Sequence, residues 1–168
     1  MLDRLSTRQV MSGLVVVCLG LLGFGLYLQH VVGLEPCPMC IVQRYTMVLI
    51  ALVAAVGAAV SGRRIHLALG GLIVLLGAFG AFVAARQSWL QWYPPEVATC
   101  GRDLYGMIES FPLQRVIPMI FRGSGDCSAV DWTFLGGSLA NWSFVFFVAG
   151  IVVVLATLAR TCPYHARR

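Results

Sequence analysis

Residues 41–60 read IVQRYTMVLIALVAAVGAAV, twenty positions with a single charge, Arg44. A helix of that length rises about 30 Å, the thickness of a bilayer's hydrocarbon core. Working outward, three more runs of this kind occur at Val10 to Leu28, Leu67 to Ala85 and Trp142 to Ala159. Any one of them alone would also suit a buried core helix. Four in a chain of 168 residues, with 59% hydrophobic and 11% charged content, leave too little polar surface to wrap them in water. The sequence therefore predicts an all-α membrane protein, a four-transmembrane-helix bundle forming one domain over 1–168. Arg4 and Arg8 ahead of the first run resemble the start of a signal peptide, but the run outlasts a typical signal core and no small-residue cleavage site precedes Gln29. It reads as a retained anchor.

Lysine is absent, so the net charge of +5 comes from arginine, and its placement sets topology. Arg4 and Arg8 precede the first span, Arg63 and Arg64 separate the second and third, and Arg160, Arg167 and Arg168 follow the fourth. All three clusters fall on one side. By the positive-inside rule both termini are cytoplasmic, and the segments at about 30–40 and 86–141 face outward. The basic pI of 9.1 is thereby a topology signal. Nucleic-acid binding, the usual alternative for a basic chain, has no interleaved aromatic or glycine-rich patch to support it.

Of six cysteines, Cys18 lies inside the first span and Cys162 at the cytoplasmic end of the fourth; both read as non-catalytic. Cys37, Cys40, Cys100 and Cys127 fall in the two outward segments, which in a bacterial inner membrane face the oxidising periplasm. Four cysteines allow three pairings. Spacing prefers Cys37 with Cys40, a short and easily exchanged ring, and Cys100 with Cys127, a long loop. In Glu35-Pro36-Cys37-Pro38-Met39-Cys40 the prolines fix the approach and Cys40 enters the first helical turn, where unpaired N–H groups favour a thiolate. Arg44 follows Cys40 by one turn on the same face and adds a permanent cation. Zinc is disfavoured by that cation and by the wide spacing of the second pair. Haem attachment needs a histidine after Cys40, where Ile41 stands.

From Arg86 to Asn141 the chain turns polar and irregular and reads as one flexible loop of about 55 residues, a length that is usually functional. Leu113, Val116, Ile117, Ile120 and Phe121 fall at helical spacing, which suggests a short membrane-surface helix interrupted at Pro118. Trp89, Trp92, Tyr93, Trp132 and Trp142 fit an interfacial aromatic belt and carry no chemistry on this reading. Pro94 to Cys100 reads as an extended, mobile strand able to offer its cysteine to another protein's groove.

The chain resembles the DsbB family, membrane proteins that reoxidise the periplasmic dithiol oxidase DsbA. The likeness lies in Pro36-Cys37-Pro38-Met39-Cys40, Gln43-Arg44, Leu90-Gln91-Trp92-Tyr93-Pro94 ahead of Ala98-Thr99-Cys100, and Ser124-Gly125-Asp126-Cys127 before Trp132 and Phe134-Leu135-Gly136. It implies a thiol:quinone oxidoreductase in the bacterial inner membrane. Reduced DsbA would attack the Cys100–Cys127 disulfide at Cys100. Electrons would pass to Cys37 and Cys40, and Cys40, beside Arg44, would hand them to ubiquinone or menaquinone. DsbA's potential of about −120 mV makes a glutathione-level acceptor insufficient. Some family members carry a histidine where Gln87 stands; Gln87 is expected to hydrogen-bond a quinone oxygen in its place. Two other readings compete: a vitamin K epoxide reductase type of enzyme, whose C-x-x-C sits on a later span, and a non-enzymatic membrane module whose cysteines are structural disulfides or a metal site.

Overall fold

The computed structural model describes residues 6–34, 36–94, 130 and 132–161. It holds helices α1 (Thr7–His30), α2 (Pro38–Ala59), α3 (Arg63–Trp92) and α4 (Leu139–Thr161), with two short strands, β1 (Thr133–Phe134) and β2 (Gly137–Ser138), just before α4. All four helices are long and apolar enough to cross a membrane, so the predicted bundle is the fold. Cys100, Cys127, Cys162 and the expected surface helix near Leu113 to Phe121 lie outside the described residues.

Each helix begins or ends for a local chemical reason. Ser6 caps α1 through a reciprocal pair: its Oγ accepts from the Gln9 N–H at 3.3 Å, and Gln9 Oε1 accepts from the Ser6 N–H at 2.9 Å. Cys37 caps α2 and Pro38 takes the first helical position, where a missing N–H costs nothing. The far end of α2 has no basic residue in its own last turn. Its neighbours supply the donors: Arg8 Nε donates to the Ala58 carbonyl at 2.9 Å, and His66 Nε2 lies 2.9 Å from the Gly57 carbonyl.

The segment expected as an irregular loop from Arg86 to Asn141 is structured at both ends. α3 runs on through Trp92 and stops at Tyr93, the residue before Pro94, where a following proline disfavours helical backbone. Arg86, Gln87, Ser88 and Gln91 end the apolar run without ending the helix, because polarity does not break a helix and proline does. The 30 residues of α3 span about 45 Å, well beyond the roughly 30 Å of a bilayer's hydrocarbon. At the other edge β1 and β2 pair antiparallel, Thr133 with Ser138 and Phe134 with Gly137. Leu135 and Gly136 form the two-residue turn with φ of 50° and 78°, positive at both positions as a type I′ hairpin turn requires.

The helices close a ring in which α1 packs on α2, α2 on α3 and α3 on α4, while α1 meets α4 only lightly. In lipid no hydrophobic force pulls helices together, so close packing must hold them. At α3 on α4 small residues provide it. A Cβ on Gly70 would come within 2.7 Å of Leu158, on Gly77 within 2.9 Å of Ile151, and on Gly80 within 2.5 Å of the Phe147 ring. Phe147 is 1% exposed and has nowhere to move. Cys18 lies in the core with Met11, Met47 and Ala54, as an apolar side chain would.

Candidate functional site: a dithiol at the edge of an apolar cavity

The head of α2 positions both sulfurs. The Cys37 backbone is extended, so its side chain turns back over the helix start, where Sγ accepts from the Cys40 N–H at 3.2 Å. The two sulfurs lie 2.8 Å apart. Thus the N-terminal N–H expected to favour a thiolate near Cys40 points at Cys37, with Cys40 in the first turn as predicted. Cys37 is buried with Met39 of α2 and Val83 and Leu90 of α3, while Cys40 is partly exposed.

On the α3 side Gln87 reaches both sulfurs. Its Nε2 lies 3.3 Å from Cys37 Sγ and 3.2 Å from Cys40 Sγ, and its Oε1 accepts from Gln43 Nε2 at 2.7 Å. Both glutamines are buried. In the sequence Gln43 stands out only as part of a motif. The signal that marks it is a polar side chain in the middle of an apolar span, where such groups are costly and find partners.

On the opposite side Cys40 opens onto a cavity of about 720 Å³ between α1, α2, α4 and the hairpin. Val17, Leu21, Phe24, Met47, Val145 and Phe146 make its apolar walls; Cys40, Gln43, Arg44 and Ser143 are the polar groups that reach it. Arg44 shares this cavity with Cys40, one turn away on α2. It is held from α1, donating through Nη1 to Gln29 Oε1 and through Nη2 to the Gly25 carbonyl at 3.0 Å. Both acceptors are neutral, so its positive charge stays available to the cavity. Gly25 lies close under the guanidinium: a Cβ there would sit in van der Waals contact, 3.4 Å from Arg44 Nε.

Trp132, Phe134 and Trp142, two of them assigned to an interfacial belt in the sequence, also line the cavity. Phe24 meets Trp132 edge-on at 5.7 Å, Trp132 stacks on Phe134 at 6.0 Å, and Trp142 Nε1 donates to the Phe134 carbonyl at 2.9 Å. Ser138 fastens this cover to the bundle: its hydroxyl donates to Gln91 Oε1 at 2.6 Å and accepts from the Asn141 N–H at the start of α4. Gln91 and the Phe134-Leu135-Gly136 turn are both in view in the sequence, but no local pattern shows that they meet.

The arrangement joins two closely spaced cysteine sulfurs to a concave apolar site with a fixed cation, which suits redox chemistry with an apolar partner. Comparison with known proteins agrees on the family. The model of the family described as disulfide bond formation protein DsbB matches residues 7–157. The chain is 63% identical over 162 residues to disulfide bond formation protein B of Paracidovorax citrulli, covering 96% of this chain and 92% of that one. It is 65% identical over 153 residues to the protein of the same name from a Polaromonas species, covering 91% of each. In Aromatoleum aromaticum the corresponding protein is 58% identical over 156 residues, with 92% of this chain and 94% of that one covered. The cysteine-headed four-helix membrane bundle described here belongs to the DsbB family of disulfide bond formation proteins.

Proposed function

We propose that the protein is the quinone-linked reoxidant of a DsbA-type thiol oxidase, placed in the bacterial inner membrane with Cys37, Cys40, Cys100 and Cys127 on the periplasmic side. The observation that carries the reading is Cys40, whose sulfur stands beside Cys37 and lines the same cavity as Arg44. One face of Cys40 serves thiol exchange and the other serves an acceptor dissolved in lipid.

In this scheme a partner thiolate attacks Cys100, releasing Cys127 as a thiolate, and the partner's second thiol displaces Cys100. The partner leaves with a disulfide, and Cys100 and Cys127 hold the two electrons and two protons. The same exchange passes them to the Cys37–Cys40 disulfide. The residues of the cavity fit a quinone: apolar walls and aromatic rings suit its ring and tail, and a few polar groups give orientation. What a bound ubiquinone or menaquinone supplies is a sink for two electrons and two protons. Arg44 stabilises negative charge at the cavity wall, and its bonds to Gln29 and Gly25 keep it there. Gln87, expected at the quinone, meets the sulfurs and reaches the cavity wall through Gln43. α1 meets α4 only lightly, and Phe24, Trp142 and Val145 of the cavity lining are exposed, which supports entry of a lipid-dissolved acceptor between these two helices.

Purified protein supplied with reduced DsbA and a short-tailed ubiquinone or menaquinone is expected to oxidise DsbA in a quinone-dependent way. Cys40→Ala reduces that turnover to background; undiminished turnover in the variant would refute the proposal.

A further inference from the structure

Gln87 has no assigned step in the electron route above, yet it touches the sulfurs of both Cys37 and Cys40. An amide nitrogen carries two N–H groups, and Gln87 Nε2 sits 3.3 Å from Cys37 Sγ and 3.2 Å from Cys40 Sγ. Its direction is fixed from the other end. Gln43 donates to Gln87 Oε1 at 2.7 Å, which holds the oxygen away from the sulfurs and turns the NH₂ group toward them. Each glutamine is 3% exposed, so water does not compete for these bonds and their strength rises in the low-dielectric interior.

The chemistry of such a donor follows from charge. An oxidised pair is neutral, whereas exchange proceeds through a thiolate, and a hydrogen bond donated to the charged form favours that form. A primary amide does not titrate in water's pH range, so it stabilises a thiolate without surrendering a proton to it. Sitting between the sulfurs, it serves whichever one carries the charge. The backbone N–H of Cys40 already supports Cys37, but a backbone donor at the helix start cannot move to follow the charge to Cys40.

We propose that Gln87 is a catalytic hydrogen-bond donor that stabilises the thiolate of the reduced Cys37 and Cys40 pair, and that Gln43 is a positioning residue that fixes the direction of its amide. This rests on the pair being redox-active, as proposed above, but its test needs neither quinone nor partner. Its failure therefore leaves that reading standing.

The full-length protein is reduced in detergent and alkylated with iodoacetamide over a series of pH values, with the peptide carrying Cys37 and Cys40 followed by mass spectrometry. Gln87→Met keeps the bulk and removes the donor. Alkylation of the pair at neutral pH falls about tenfold, the size of one hydrogen bond to a charged group. At high pH, where thiolate forms regardless, the rates converge with the parent, which a mere change of access would not produce. Gln43→Met frees the Gln87 amide to turn and gives a smaller loss of the same shape, while Gln87→His, with a ring N–H, recovers part of the rate. An unchanged neutral-pH rate in Gln87→Met, or a loss equal at all pH values, overturns the proposal. If Gln87→Met does not fold, Gln43→Met alone decides it by the same two criteria.

Discussion

Against α3, helix α4 packs on a stripe of glycines; against α1 it stands off, and the space left over is the cavity. The tight seam is built from Gly70, Gly77 and Gly80, each with a bulky α4 side chain resting directly on its backbone. On α1, Gly13, Gly20 and Gly23 have no neighbour within 4 Å of where a Cβ would stand. Small residues are thus present on both partners of α4, yet only those on α3 receive large side chains. In lipid the difference decides which seam holds, since packing alone drives association there. The α1 side is instead furnished with aromatic rings and one arginine, groups that leave room for an apolar guest.

The largest expected effect lies at the tight seam. In Gly80→Ala the new methyl would sit 2.5 Å from a Phe147 ring that is itself buried. Overpacking of this kind costs about 1–3 kcal/mol, read as a lowered Tm in detergent. Combining it with Phe147→Leu is expected to recover part of the loss, because the clash is with the ring. A Tm unchanged in Gly80→Ala would mean that α3 and α4 are free to separate and the comparison fails.

A smaller and different effect is expected at the cavity wall, where Gly25 of α1 meets Arg44 of α2. A Cβ at Gly25 would already stand 3.4 Å from Arg44 Nε, so the longer side chain of Gly25→Leu pushes into the guanidinium and displaces it from the Gly25 carbonyl. Removing one charge-assisted hydrogen bond predicts about a tenfold weaker apparent affinity for a quinone analogue, with the Tm nearly that of the parent. A loss of stability matching that of Gly80→Ala would show that the cavity wall and the tight seam carry the fold alike.

The fold is legible in the sequence because lipid makes it so: long apolar runs admit one structure, and the four are visible by length alone. Their packing is not. A helix that is apolar on every side shows no hydrophobic stripe, so nothing in the usual periodicity separates the face of α3 that meets α4 from the face that meets lipid. The spacing of Gly70, Gly77 and Gly80 is the signal available, and it belongs to membrane rules of small residues at contacts. At the site, Cys37, Cys40 and Arg44 are readable from the first turns of one helix. Gln87 stands out in the sequence too, but its place against the sulfurs depends on α3 lying beside α2. Gln43, Gln29, Gly25 and the aromatic cover become partners only across helices. Whatever is local to the head of α2 can be read, and whatever needs two helices cannot.

The smallest effect falls on the glycines of α1 that touch nothing. Gly23→Ala adds a methyl where no atom lies within 4 Å, so no clash offsets the better helix propensity of alanine. The variant is expected to be neutral or more stable by up to about 1 kcal/mol, measured as a Tm equal to or above that of the parent. Gly23 is the sharpest control for the seam comparison because it makes the same chemical change as Gly80→Ala and differs only in what stands opposite. A fall in Tm like that of Gly80→Ala would mean that the cost comes from losing glycine within a membrane helix, and the contrast between the two sides of α4 would then say nothing about packing.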